Sequence, residues 1–159
     1  MVSSFASPRK PMYVLLKFVH LAAAVIWLGG MAVVLFALRP ATAAILPPPQ
    51  RLELLAAVLA RFFILVWACI ALLLGSGFYM LLTVGMKTAP VSWHLMLGIG
   101  LAMCLIFGHL YFVPFRRLKA AVSASDWPAG ARQAGQIATL VILNFCLGWL
   151  AVAGIFLLS

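Results

Sequence analysis

Three histidines carry the chemistry that this chain can offer. His20 sits in the string Lys17-Phe18-Val19-His20, followed by Trp27-Leu28-Gly29-Gly30, inside an apolar run from Tyr13 to Leu38. His94 and His109 lie at either end of another apolar run. An ionisable ring in hydrocarbon is costly to bury and is rarely placed there without a partner. Imidazole can ligate a transition metal or a haem iron. The thioethers of Met31 and Met96 lie on the same runs as His20 and His94, and Cys69, Cys104 and Cys146 add thiols in apolar surroundings. Imidazole, thioether and thiol together suit Cu(I). No Met-x-Met or Cys-x-x-Cys spacing tightens that signal. Methionine also fills irregular gaps, and cysteine behaves as a small hydrophobe. The apolar runs hold no Asp or Glu, which argues against a carboxylate proton relay and against a hard-cation site.

The elements that must position these residues are long apolar helices. No Lys, Arg, Asp or Glu occurs from Phe18 to Leu38, Phe62 to Met86, Thr88 to Phe115 or Gln133 to Ser159. A bilayer core of about 30 Å needs about 20 such residues as a helix. Hydrophobic residues make up 67% of the chain and charged residues 8%, which leaves no polar face for a water-soluble domain. Barrel strands alternate apolar with polar over about 10 residues, and these runs do not. The chain therefore reads as all-α, a single four-helix transmembrane bundle over residues 1–159, with helices at about 11–38, 61–82, 92–112 and 133–158. The first run is longer than the h-region of a secretory signal and reads as a retained spanning helix. All nine prolines are expected in loops or at helix ends, with Arg39-Pro40 closing helix one and Pro114 closing helix three. The segment from Arg51 to Ala60 reads as an interfacial lead into helix two.

The net charge of +9 does not point to nucleic acid, because the basic residues fall between the apolar runs. Seven (Arg39, Arg51, Arg61, Arg116, Arg117, Lys119 and Arg132) lie on one side and four (Arg9, Lys10, Lys17 and Lys87) on the other. The positive-inside rule puts the first group in the cytoplasm and both termini outside, periplasmic in a bacterial-type inner membrane. The bilayer is the first partner. Glycine-bearing faces are compatible with a homodimer or a membrane partner subunit.

At 100° per residue, the His20 face of helix one also holds Tyr13, Leu16, Ala24, Trp27 and Met31. On helix three, His94, Gly98, Leu101, Leu105, Gly108, His109 and Phe112 share a side. Small neighbours suggest that both faces look inward, and Gly100, Cys104 and Gly108 suggest a packing seam. Ser76 and Asn144 are the expected hydrogen-bond partners within the bundle. With residues 25 and 104 near the midplane, His20 and His94 differ in depth by about 8 Å and His20 and His109 by about 15 Å. The depths pair His20 with His94; as soft donors, Met31 or Met96 are the further candidate metal ligands. They leave His109 as a separate or structural residue.

Leu16-Lys17-Phe18-Val19-His20 with Trp27-Leu28-Gly29-Gly30 resembles the first helix of the copper resistance protein D (CopD) family. Arg61-Phe62-Phe63 leading to Ser76-Gly77-Phe78-Tyr79 looks like that family's next helix, and Asn144 with Gly148 like its last. The resemblance implies a four-helix inner-membrane unit acting in copper transport or tolerance. The order Lys17, His20, Trp27, Gly29, and Trp93-His94 followed by His109, also resembles the HemJ family. That resemblance implies haem b and protoporphyrinogen oxidation or electron transfer, with His20, His94 and His109 as haem-side residues. Lys17, one turn from His20, would pair with a propionate. The HemJ-like pattern expects a lysine just after the first histidine of the third helix, and here Met96 stands nearby instead.

Overall fold

A computed structural model describes residues 9–157. Four helices are long and apolar enough to cross a membrane: Pro11–Ile45, Pro48–Val84, Val91–Ser123 and Trp127–Leu157. They are called the first to fourth spans below. Among the described residues there is no strand. The first span packs along the second, the third along the fourth, and the first also touches the fourth.

The spans are longer than the apolar runs, and two prolines that should end helices lie inside them. A proline lacks an N–H and its ring collides with the carbonyl four residues back. Here each collision is met by a π-helical segment, Val33–Leu38 before Arg39-Pro40 and Tyr111–Phe115 around Pro114. In the first of these the Arg39 N–H reaches back five residues to the Val34 carbonyl. The wider turn lets the first span run on to Ile45 and the third to Ser123, past the expected ends near residues 38 and 112. The second span is 37 residues long, about 55 Å, and overshoots a 30 Å core by many residues. Its start is set by proline chemistry: Pro47 is extended and Pro48 takes the first helical position, where no N–H is needed. The fourth span begins at Trp127 rather than near 133, because the Asp126 carboxylate accepts the Ala129 N–H at 3.0 Å as a helix cap. At the other end of the bundle the second span stops at Gly85, whose φ of 94° only glycine adopts freely.

The core is an aromatic layer built around Phe63, whose ring is 5.3 Å from Phe107 and 4.8 Å from Phe115, centroid to centroid, both edge-on. Trp27 joins from the first span, 6.1 Å from Phe107. Glycines close the tight contacts. A Cβ on Gly30 would strike the Phe62 ring, and one on Gly148 would strike Leu28. Around Gly100 and Gly108 a Cβ would meet nothing within 4 Å, so Gly100, Cys104 and Gly108 are not the packing seam their spacing suggests. The three cysteines are free: Cys69 is buried as a small apolar filler, Cys104 is half-buried and Cys146 is exposed on the outside of the bundle.

Candidate functional site

The two histidine-bearing faces part company in the structure. On the first span, Trp27 and Met31 are buried and His20 is half-buried, so this face looks inward as expected. On the third, His94, Gly98, Leu101, Leu105, His109 and Phe112 are all exposed, so this face looks outward. Small residues made it read as an interior face. They instead line an outer surface, and the third span turns Met103, Phe107 and Leu110 to the core.

His20 meets the second span. Its Nδ1 lies 2.8 Å from the Ser76 hydroxyl. Gly77 gives the ring room, since a Cβ there would sit 3.3 Å from His20 Cε1. The serine hydroxyl has one proton, and its oxygen is also bonded to the Leu72 carbonyl of its own helix. That carbonyl can only accept, so the hydroxyl donates to it and accepts from His20. This assigns the Nδ1–H tautomer to a neutral His20 and leaves the Nε2 lone pair free. Among the described residues Nε2 has no hydrogen-bond partner. An imidazole whose far nitrogen donates to a fixed acceptor is oriented and made more basic as a ligand.

Deeper on the same face, Met31 is 2% exposed. Eleven residues separate it from His20, a rise of about 16 Å. Met31 lines a small cavity with Trp27, Phe63, Phe107 and Asn144, of about 10 Å³, roughly one water. Asn144, itself 2% exposed, donates from Nδ2 to the Met103 carbonyl at 3.2 Å and fastens the fourth span to the third. Its Oδ1 is buried and has no hydrogen-bond partner. An orphan carbonyl in such a place costs free energy, and a bound polar species would relieve it. Ser76 and Asn144 thus both act as hydrogen-bonding residues within the bundle, as their positions suggested. Sequence reasoning missed the role of Gly77; its only signal was its place beside the single serine of the second apolar run.

The other singled-out residues are not drawn into this site. His94 is exposed and its Nδ1 lies 3.2 Å from the Pro90 carbonyl of its own helix, so His20 is joined to the second span rather than to the third. Met96 is half-buried and His109 exposed. The Lys17 ammonium is 4.7 Å above the Tyr13 ring, a cation–π contact one turn away. Among the described residues no three of His, Cys, Asp or Glu come together as a metal cage.

Comparison with known proteins adds one finding. The family model for copper resistance protein D matches residues 56–158. The match takes in most of the second span and all of the third and fourth, and does not reach the span that carries His20. No curated protein and no solved structure matches the chain.

Proposed function

The chain belongs to the copper resistance protein D family, and on that premise we propose that it takes up copper as cargo through its first span. Membership gives a multi-pass membrane protein linked to copper. The observation that carries it is the His20–Ser76 contact, which fixes the ring and leaves Nε2 open. In this reading Nε2 is the first donor for Cu(I). The Met31 thioether, on the same inward face, is the next, with Asn144 Oδ1 offering the one unpaired polar atom beside it. Soft, neutral donors in small number bind a monovalent soft ion without holding it too tightly to leave. His94 and Met96 stand at the same end of the bundle, where His94 would meet the ion at the surface before His20. The seven basic residues on one side of the bundle, against four on the other, support placing the His20 end outside a bacterial-type inner membrane.

The test is Cu(I) affinity of the detergent-purified protein, read by competition with a chromophoric chelator under reducing conditions. His20→Ala should weaken binding about tenfold or more, the scale of losing a ligand or its support. Equal affinity in His20→Ala and the parent protein would sink the proposal. The visible spectrum of the same sample, oxidised and dithionite-reduced, bears on the haem b reading. A Soret band after haem-replete expression would move His20 to the role of a haem ligand. A featureless spectrum is the expected result.

A further inference from the structure

At the basic end of the bundle, three spans line a half-open cavity of about 190 Å³. Arg39 and Thr42 line it from the first span, Arg51 and Leu52 from the second, and Ala134 and Gly135 from the fourth. Both arginines are half-buried, and they lie close enough to repel each other. Arg39 is held in place, since its Nη1 donates to the Ala134 carbonyl at 3.1 Å. That contact uses one of the five N–H groups of the guanidinium. Arg51 has no side-chain hydrogen bond among the described residues. The Thr42 hydroxyl donates to the Arg39 carbonyl at 3.1 Å, which leaves its oxygen lone pairs but no proton for a ligand. The chain has two side-chain carboxylates, Glu53 and Asp126, and neither lines the cavity. Asp126 is engaged as the helix cap described above.

Two like charges held in a half-enclosed space with no counter-charge are unfavourable unless something neutralises them. Planar guanidiniums match the oxygens of a phosphate, each by paired N–H bonds. The fourth span contributes only alanine and glycine to the lining, which leaves room for a tetrahedral group. Arg39 directly follows the apolar run of the first span, at the level where lipid headgroups begin. We propose that this cavity is a phosphate-binding site, with Arg39 and Arg51 as its two donors. The same chemistry is presented by free inorganic phosphate and by the phosphate of an anionic lipid headgroup. The site lies at the far end of the bundle from His20 and does not depend on the copper reading.

The full chain, purified in a non-ionic detergent at low salt, would be titrated with inorganic phosphate and with a short-chain phosphatidylglycerol. Short-chain phosphatidylcholine is the zwitterionic control, and the readout is the midpoint of thermal unfolding. A saturable rise with one of the first two ligands is expected, weakened by added salt. Saturation by inorganic phosphate identifies a free anion, and saturation by phosphatidylglycerol alone identifies a lipid headgroup. Arg51→Gln should weaken apparent affinity about tenfold, the loss of roughly one charge-assisted pair. Arg61→Gln should leave it unchanged, since Arg61 is exposed and bonded to the Ala57 carbonyl. Arg39→Gln is the second variant, because losing the Ala134 contact also affects packing. No saturation by either ligand would overturn the proposal. So would phosphatidylcholine matching phosphatidylglycerol, or Arg61→Gln losing as much as Arg51→Gln.

Discussion

The first and third spans follow one plan and put it to opposite uses. Each carries histidine in an apolar run, then a π-helical segment with a proline in it or just after it and arginine beside that, then a helical extension. Yet His20 turns inward to Ser76 while His94 and His109 turn outward. Composition along a helix therefore does not decide which side is buried. The decision lies with the partner surface. The first span meets Ser76, Gly77 and Phe62 on the second, which reward a polar ring and a glycine. The inward side of the third meets the Phe63 layer and the Asn144 amide, which reward Phe107 and an accessible backbone carbonyl at Met103.

The largest effect that can break this comparison lies on the third span itself. Phe107 is 2% exposed and faces the aromatic layer, whereas Phe112 is 56% exposed. Phe107→Ala should cost about 3–5 kcal/mol of unfolding free energy, and Phe112→Ala less than about 0.5 kcal/mol. Unfolding in mixed micelles measures both, and equal losses would mean that the third span is rotated from the orientation described. Next come the glycines. Gly30→Val drives methyl groups into Phe62 and should cost about 1–3 kcal/mol by overpacking. Gly108→Val, into open space, should be neutral to slightly stabilising, since valine has the better helix propensity. The same assay separates them, and a costly Gly108→Val would restore the small-residue seam. For ligand binding, His20→Ala is set against His109→Ala in the chelator competition. The former is expected to lose about tenfold in Cu(I) affinity, about 1.4 kcal/mol, and the latter nothing. A loss confined to His109→Ala would reverse the roles of the two spans. The smallest effect belongs to Ser76→Ala, about 0.6 kcal/mol of stability, the average for a hydrogen bond between membrane helices. A circular-dichroism melt would show it as a shift near the limit of resolution, and its absence together with unchanged copper affinity would demote the serine to a spectator.

How much of this could be read from the chain depended on what sets each feature. Fold class was legible because four uninterrupted apolar runs have no other stable arrangement. Ser76 and Asn144 were legible as internal partners, since isolated polar side chains in hydrocarbon must find each other or backbone. The ends of the spans were not. Pro40 and Pro114 carry strong stop signals, and only the three-dimensional relief of a π turn shows that the helix passes through. The capping carboxylate of Asp126 was visible in the sequence, and the polar stretch around it drew attention toward a longer loop. The face of the third span was misread because glycine beside histidine suits a packed interior and a lipid-facing groove alike. The paired arginines escaped notice for another reason. Arg39 and Arg51 sit on different helices, and their shared cavity needs the fourth span to close it.

The π segment at Val33–Leu38 has a consequence for the length of the chain. Such a segment holds one residue more than an α-helix needs for the same advance. Removing a single residue there would let the helix close into ordinary α-register with His20 still facing the second span and Arg39 still facing Ala134. The wide turn thus absorbs one surplus residue and keeps the upstream and downstream faces of this helix in phase. A codon lost from the α-helical stretch between His20 and Val33 would instead turn the two faces about a quarter of the way round relative to each other.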